Sequence, residues 1–158
     1  MMKNTTTQWN KGQIIFEVPG KVRGKGRPRF MRNGHTYTDK NTVEYEKAIK
    51  SAYLRLSRHV STKSIRISLY VFFAPNKSDT KRNREVKLRN AKAPKKKPDI
   101  DNVIKVVLDA LNKVAYEDDT QVNEVHVERL FSKEEKLIVC LTECGELFGQ
   151  SEQKAKKC

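Results

Sequence analysis

The run Asn102–Lys113 contains neither Gly nor Pro and is apolar over most of its helical circumference. Such a helix is unstable with water on every side, so the chain has to supply a sheet to bury it, and that requirement sets the fold class. Its polar positions, Asn102, Lys105, Asp109 and Asn112, recur at intervals of three and four and form a single stripe.

Strands for that sheet are legible. Ser64–Phe73 alternates, is rich in β-branched and aromatic residues and ends before Pro75. Ile14–Val18 reads as a first strand closed by Pro19 and Gly20. Two more strands, around Gln121–Phe131 and Lys136–Thr142, are joined by a short turn at 132–135 and read as a hairpin. Asn33-Gly34 predicts a two-residue hairpin turn between Phe30 and Tyr37. Asn41 or Thr42 caps a helix running to about residue 58, with Val43, Ala48, Ile49, Ala52, Tyr53 and Leu56 as its apolar face. The expectation is a single α/β (α+β) domain over 13–144. In it a mixed or antiparallel sheet of about four strands, near 13–19, 64–73, 121–131 and 136–142, packs against helices near 41–58 and 101–114. Residues 1–12 and 145–158 are polar and read as disordered tails.

Of the 158 residues 37% are hydrophobic, enough for one core, and no apolar run approaches the length of a membrane helix. No signal peptide opens the chain, which predicts a cytoplasmic protein. Cys140, Cys144 and Cys158 lack metal or disulfide spacing, and His35, His59 and His126 are scattered. The net charge of +14 is more informative, because two segments carry all of it. Residues 20–32 hold Lys21, Arg23, Lys25, Arg27, Arg29 and Arg32 with no acid. Residues 76–97, which end in Lys95, Lys96 and Lys97, hold ten Lys or Arg against Asp79 and Glu85. A polyanion is the expected partner. From Lys21 to Arg29 the cations occupy every second position, so an extended backbone would turn them to one side, with glycines between them to admit a phosphate backbone. This arm is expected to be mobile until bound, and the 76–97 segment, with a short helix near 78–89, to be ordered by its partner.

The second basic segment leads into Pro98-Asp99-Ile100-Asp101-Asn102, with Lys105 four residues beyond Asp101. Taken singly, Asp101 is a helix cap and Asp118 and Asp119 are turn residues. Together, carboxylates and a lysine around one helix beside so many cations suit a divalent metal over a phosphate.

The order Asp99-x-Asp101-Asn102, Lys105, Asp109-Ala110-Leu111, Asp118-Asp119-x-Gln121 resembles the core signature of RusA-type Holliday junction resolvases over roughly 97–143. Gly24-Lys25-Gly26-Arg27-Pro28-Arg29 adds a weaker match. The resemblance implies a RusA-like fold and a magnesium-dependent endonuclease acting as a homodimer on four-way junction DNA. Asp99, Asp101 and Asp119 would be the metal ligands and Lys105 the essential lysine. Mn²⁺ would substitute for Mg²⁺, since oxygen ligands separate the two poorly. A small stand-alone resolvase suits a bacterial or phage genome. Two other readings of the residues stand beside this one: a non-catalytic nucleic-acid-binding module, and a nuclease for other branched DNA such as flaps or forks.

Overall fold

The alternation of Ser64–Phe73 is realised as a ten-residue strand whose odd-numbered side chains are buried. It lies in the interior of a sheet, where both of its edges are paired. The computed structural model describes residues 9–145. In chain order the elements are β1 (Gln13–Pro19), β2 (Arg29–Phe30), β3 (Thr36–Tyr37), α1 (Lys40–Leu54), β4 (Ser64–Phe73), α2 (Lys81–Leu88) and α3 (Ile100–Leu111). A 3-10 turn (Asp119–Gln121), β5 (Val122–Phe131) and β6 (Lys136–Cys144) complete the described residues.

The main sheet has the order β1-β6-β4-β5, with β6 antiparallel to both neighbours and β5 parallel to β4. This is a single α+β domain with a mixed four-stranded sheet and three helices. The expected hairpin between the last two strands does not form, because β4 lies between them. A parallel partner needs a crossover connection, and the chain from β4 to β5 supplies one through α2 and α3. The 132–135 turn then carries the chain past the end of β4, where the Ser132 amide donates to the Phe73 carbonyl at 2.9 Å.

Ile65, Ile67, Leu69 and Val71 of β4, with Leu137, Val139 and Leu141 of β6, meet Val103, Val106, Val107 and Leu111 of α3 in one core. Each such side chain contributes about 1.5–3 kcal/mol on burial. The polar stripe of α3 stays at the surface: Lys105 and Asp109 are exposed, Asn102 and Asn112 half-buried. α1 packs on α3 and β1 through Thr42, Tyr45, Ile49 and Tyr53. Its buried face is therefore rotated from the expected one, with Ala48 exposed, and the helix ends at Leu54 rather than near 58, which leaves Leu56 exposed beyond it. Nor do Asn41 or Thr42 cap it: Asp39 stands at the cap position, and the Thr42 hydroxyl accepts from the Gly26 amide at 3.1 Å.

Of the expected tails 1–12 and 145–158, residues 1–8 and 146–158 lie outside the described residues, but Trp9 does not behave as tail. It is buried and donates its indole N–H to the Tyr53 hydroxyl at 3.0 Å. The basic 76–97 segment is likewise fastened by its own chain. The Asn90 side chain accepts from the Phe131 amide at 2.7 Å and donates to the Phe131 carbonyl at 3.3 Å. Lys96 Nζ donates to the Ala74 carbonyl at 2.7 Å, and Lys87 pairs with Asp79 at 2.6 Å.

Candidate active site

The N-terminal end of α3 gathers the first group of candidate residues. Asp99, not Asp101, occupies the cap position, and its carboxylate takes no hydrogen bond from the helix backbone. It turns outward to Lys97, whose ammonium donates to both oxygens at 2.9 and 2.7 Å. Asp101 lies in the first helical turn and pairs at 3.8 Å with Lys105, one turn further on. The reading of Asp101 as a simple cap fails on position, and neither carboxylate is consumed by the backbone. All four side chains are half or more exposed, Asp99 and Asp101 at 50% and 68%. Exposed pairs of this kind are worth about 0–1 kcal/mol, so a stronger cation displaces the lysines at little cost.

Asp118 and Asp119 have separate tasks. Asp118 caps the 3-10 turn, accepting from the Thr120 amide at 2.9 Å while its own amide donates to Gln121 Oε1 at 2.9 Å. Hydrogen bonds from the Thr120 amide first, then with the Thr120 and Asp119 side chains, hold the Asp118 carboxyl below its ordinary range. Asp119 is raised instead, first by its hydrogen bond with Asp118, then by desolvation and the charges of Asp118 and Asp109. The loop that carries them is pinned by Gln121 Nε2, which donates to the Ser61 and Lys63 carbonyls, both at 2.9 Å. Buried Tyr116 ties it to α3 by donating to the Leu108 carbonyl at 2.9 Å.

Asp119 thus feels Asp109, which stands about 12 Å along the helix axis from Asp101. Among the described residues no three His, Cys, Asp or Glu side chains stand together as a metal-binding group. The predicted trio is therefore divided: Asp99 and Asp101 share one end of α3, while Asp119 neighbours Asp109. The chemistry of the donors still fits a hard cation. They are oxygen-only, exposed, and at Asp119 crowded by like charge, which a divalent ion relieves. Asp109 was legible as a member of the polar stripe and of the Asp109-Ala110-Leu111 stretch of the family resemblance, but neither gave it a role beside Asp119.

The basic arm is not the one-sided comb expected of an extended strand. Lys25 folds inward, pairing with Glu46 at 2.6 Å and Asp109 at 2.7 Å. Burial pulls the Lys25 ammonium down, but the bonds to Asp109 and Glu46 outweigh it and leave its pKa raised. The glycines serve the chain's own packing. A Cβ on Gly24 would stand 2.7 Å from Pro98 Cβ and 2.8 Å from Asn102 Cβ, so the arm can lie against the start of α3 only as glycine. The Lys25 amide donates to the Asn102 carbonyl there, at 2.9 Å.

Lys21, Lys96 and Lys97 line a cleft of about 250 Å³ together with Glu135, which brings the two basic segments together, and Lys97 pairs with Asp99. Lys95 and Lys96 also border a larger concavity of about 560 Å³ with Lys87 and Lys92. Arg23 and Arg27 are exposed, as are Arg29 and Arg32 on the β2–β3 hairpin; Arg29 lies 3.7 Å from Asp39.

Exposed carboxylates beside converging lysines on a small α+β domain are the features of proteins that act on a polyanion with a divalent metal. The chain belongs to the RusA endodeoxyribonuclease family: the family model described as Endodeoxyribonuclease RusA matches residues 19–142. It is 30% identical over 136 residues to the uncharacterized protein YqaN of Bacillus subtilis (strain 168), covering 82% of this chain and 96% of that protein. Family membership implies a metal-dependent endodeoxyribonuclease, a hydrolase, with Holliday junctions as substrate. Among the described residues no helix is long and apolar enough to cross a membrane.

Proposed function

We propose that the protein is a Mg²⁺-dependent endodeoxyribonuclease that resolves four-way DNA junctions by paired, symmetric nicks in recombination and repair, as a cytoplasmic homodimer of bacterial or phage origin. The observation that carries this reading is that Asp99 and Asp101 stand at the start of α3 with no carboxylate bond to its backbone, and that Lys97, which lines the cleft with Lys21 and Lys96, pairs with Asp99. Asp99 and Asp101 would hold Mg²⁺, or Mn²⁺ in its place, with Asp119, which stands apart from them in this structure, drawn to the same ion on binding; the bound ion supplies polarisation of the scissile phosphate and a bound water of lowered pKa.

The remaining work falls to the chain's own groups. Lys21, Lys96 and Lys97 seat the phosphodiester backbone, and Lys97 exchanges its pair with Asp99 for a phosphate oxygen. Lys105, 62% exposed, offsets the charge that builds on the phosphoryl oxygens as the leaving oxygen departs. Products carry 5′-phosphate and 3′-hydroxyl ends. Two-fold symmetry supplies the paired cuts, one from each protomer.

The test is incubation of the purified protein with labelled four-way, forked and duplex DNA, with Mg²⁺ or with EDTA. Junction-selective, Mg²⁺-dependent nicking at symmetric positions is expected. Forks or flaps cut faster than junctions would reassign the substrate. The division of the acidic residues favours one other reading, a non-catalytic DNA-binding module. Tight binding with no divalent-dependent cleavage would establish it.

A further inference from the structure

We propose that the β2–β3 hairpin is a wedge that places Phe30 against an unstacked base at the branch point of DNA. This rests on the reading of branched DNA as the substrate. Phe30 is 79% exposed, Met31 51% and Tyr37 42%, and all three sit on one small hairpin that contributes nothing to the core. Arg29 pairs across the hairpin with Tyr37, and Phe30 with Thr36. The loop is tight: the Met31 amide donates to the His35 carbonyl at 2.8 Å and the Gly34 amide to the Met31 carbonyl at 3.0 Å, with Gly34 at φ 82°. That is a three-residue turn with a glycine bulge rather than the two-residue turn its sequence suggests.

The chemistry around the tip selects a nucleic acid over a protein surface. Exposed Arg27, Arg29 and Arg32 flank Phe30 and Met31 in the chain, and among the described residues the one acid paired to them is Asp39, 3.7 Å from Arg29. Apolar side chains flanked by cations suit a base face beside phosphates: the ring unstacks or caps a base step while the guanidiniums hold the backbone. Intact duplex offers no free base face, whereas a branch point does. The hairpin is also rooted where it would matter. Gly24 packs on Pro98 and Asn102, the Lys25 amide bonds Asn102, and the Gly26 amide bonds Thr42, so its base is fixed to the start of α3 beside Asp99 and Asp101. Stacking by Phe30 therefore positions a branch point relative to the candidate active site and supplies selectivity for branched over linear DNA.

The experiment places 2-aminopurine at the branch point of a four-way junction, and at the same position of a matched duplex, in EDTA so that no strand is cut. Wild-type protein is expected to raise junction emission about threefold or more and duplex emission little, because unstacking relieves quenching. Phe30→Ala should lose most of that rise and about tenfold in junction affinity, with duplex affinity within about twofold. Phe30→Trp should keep both. Far-UV circular dichroism checks that the variants fold. An emission rise in Phe30→Ala equal to wild type would overturn the wedge, as would its conversion from dimer to monomer in sedimentation, which would make the patch a self-association surface. The two proposals separate cleanly. A Phe30-dependent rise without Mg²⁺-dependent cleavage keeps the wedge and removes the nuclease; junction cleavage in Mg²⁺ with no Phe30 dependence does the reverse.

Discussion

The two ends of α3 carry the same kinds of side chain and use them differently. Towards the C-terminal end Lys25, whose side chain is 28% exposed, pairs with both Glu46 and Asp109, so these two acids are neutralised from within the fold although Asp109 is itself 45% exposed. At the N-terminal end Asp99 and Asp101 meet, among the described residues, only the cations Lys97 and Lys105, 85% and 62% exposed. An enclosed pair holds structure together, while an exposed pair exchanges its partner for a metal or a phosphate. The burial of the paired lysine, rather than residue type, therefore separates a structural acid from a candidate ligand.

The sharpest way to break that distinction is a pair of isosteric substitutions. Asp101→Asn should lower Mg²⁺-dependent junction cleavage on the order of a thousandfold while junction binding is retained. Asp109→Asn should lower it tenfold at most. The opposite ranking in single-turnover assays would move the site to the other end of the helix. Lys105→Ala should lose cleavage as Asp101→Asn does, but keep Mg²⁺ binding by isothermal titration, since its role is to offset charge.

The next effect is on salt dependence. Replacing Lys21 and Arg23 together by Ala should reduce the slope of log affinity against log salt by about 2, one counterion near each lost phosphate contact. Lys25→Ala should leave the slope unchanged, because its ammonium is already paired. A slope change from Lys25→Ala alone would show that the inward pairing opens on DNA.

Stability gives the converse result. Lys25→Ala should cost about 1 kcal/mol after solvent screening, read as a few degrees in Tm, and Lys21→Ala nothing measurable. The sign with pH is defined: a lysine raised in the folded state stabilises fully below its unfolded pKa of about 10.4, and the contribution is lost as pH rises through the folded value. Equal losses from the two substitutions would erase the contrast. Smallest of all is the carboxyl titration. By NMR, Asp119 should titrate above the ordinary Asp range and Asp118 below it. Asp109→Asn should bring Asp119 down and leave Asp118 in place. If added Mg²⁺ shifts neither group, Asp119 is not a ligand.

Much of this was legible along the chain because it depends on local period. Alternation marked Ser64–Phe73 to the residue, the apolar circumference of 102–113 demanded burial, and the spacing of Asp101 and Lys105 placed them one turn apart on one face. The concentration of charge named a polyanion before any geometry was known. Tertiary structure alone decided the rest. A short turn at 132–135 serves a hairpin or a step past a strand equally well, and only the presence of β4, pairing on both edges, chose the step. Alternation of Lys21 to Arg29 implies one charged side only while the backbone stays extended; Glu46 and Asp109 lie 21 and 84 residues beyond Lys25, and their attraction drew it inward. Periodicity is a property of neighbours in sequence, whereas the partner that satisfies a charge or a strand edge is fixed by the folded chain as a whole.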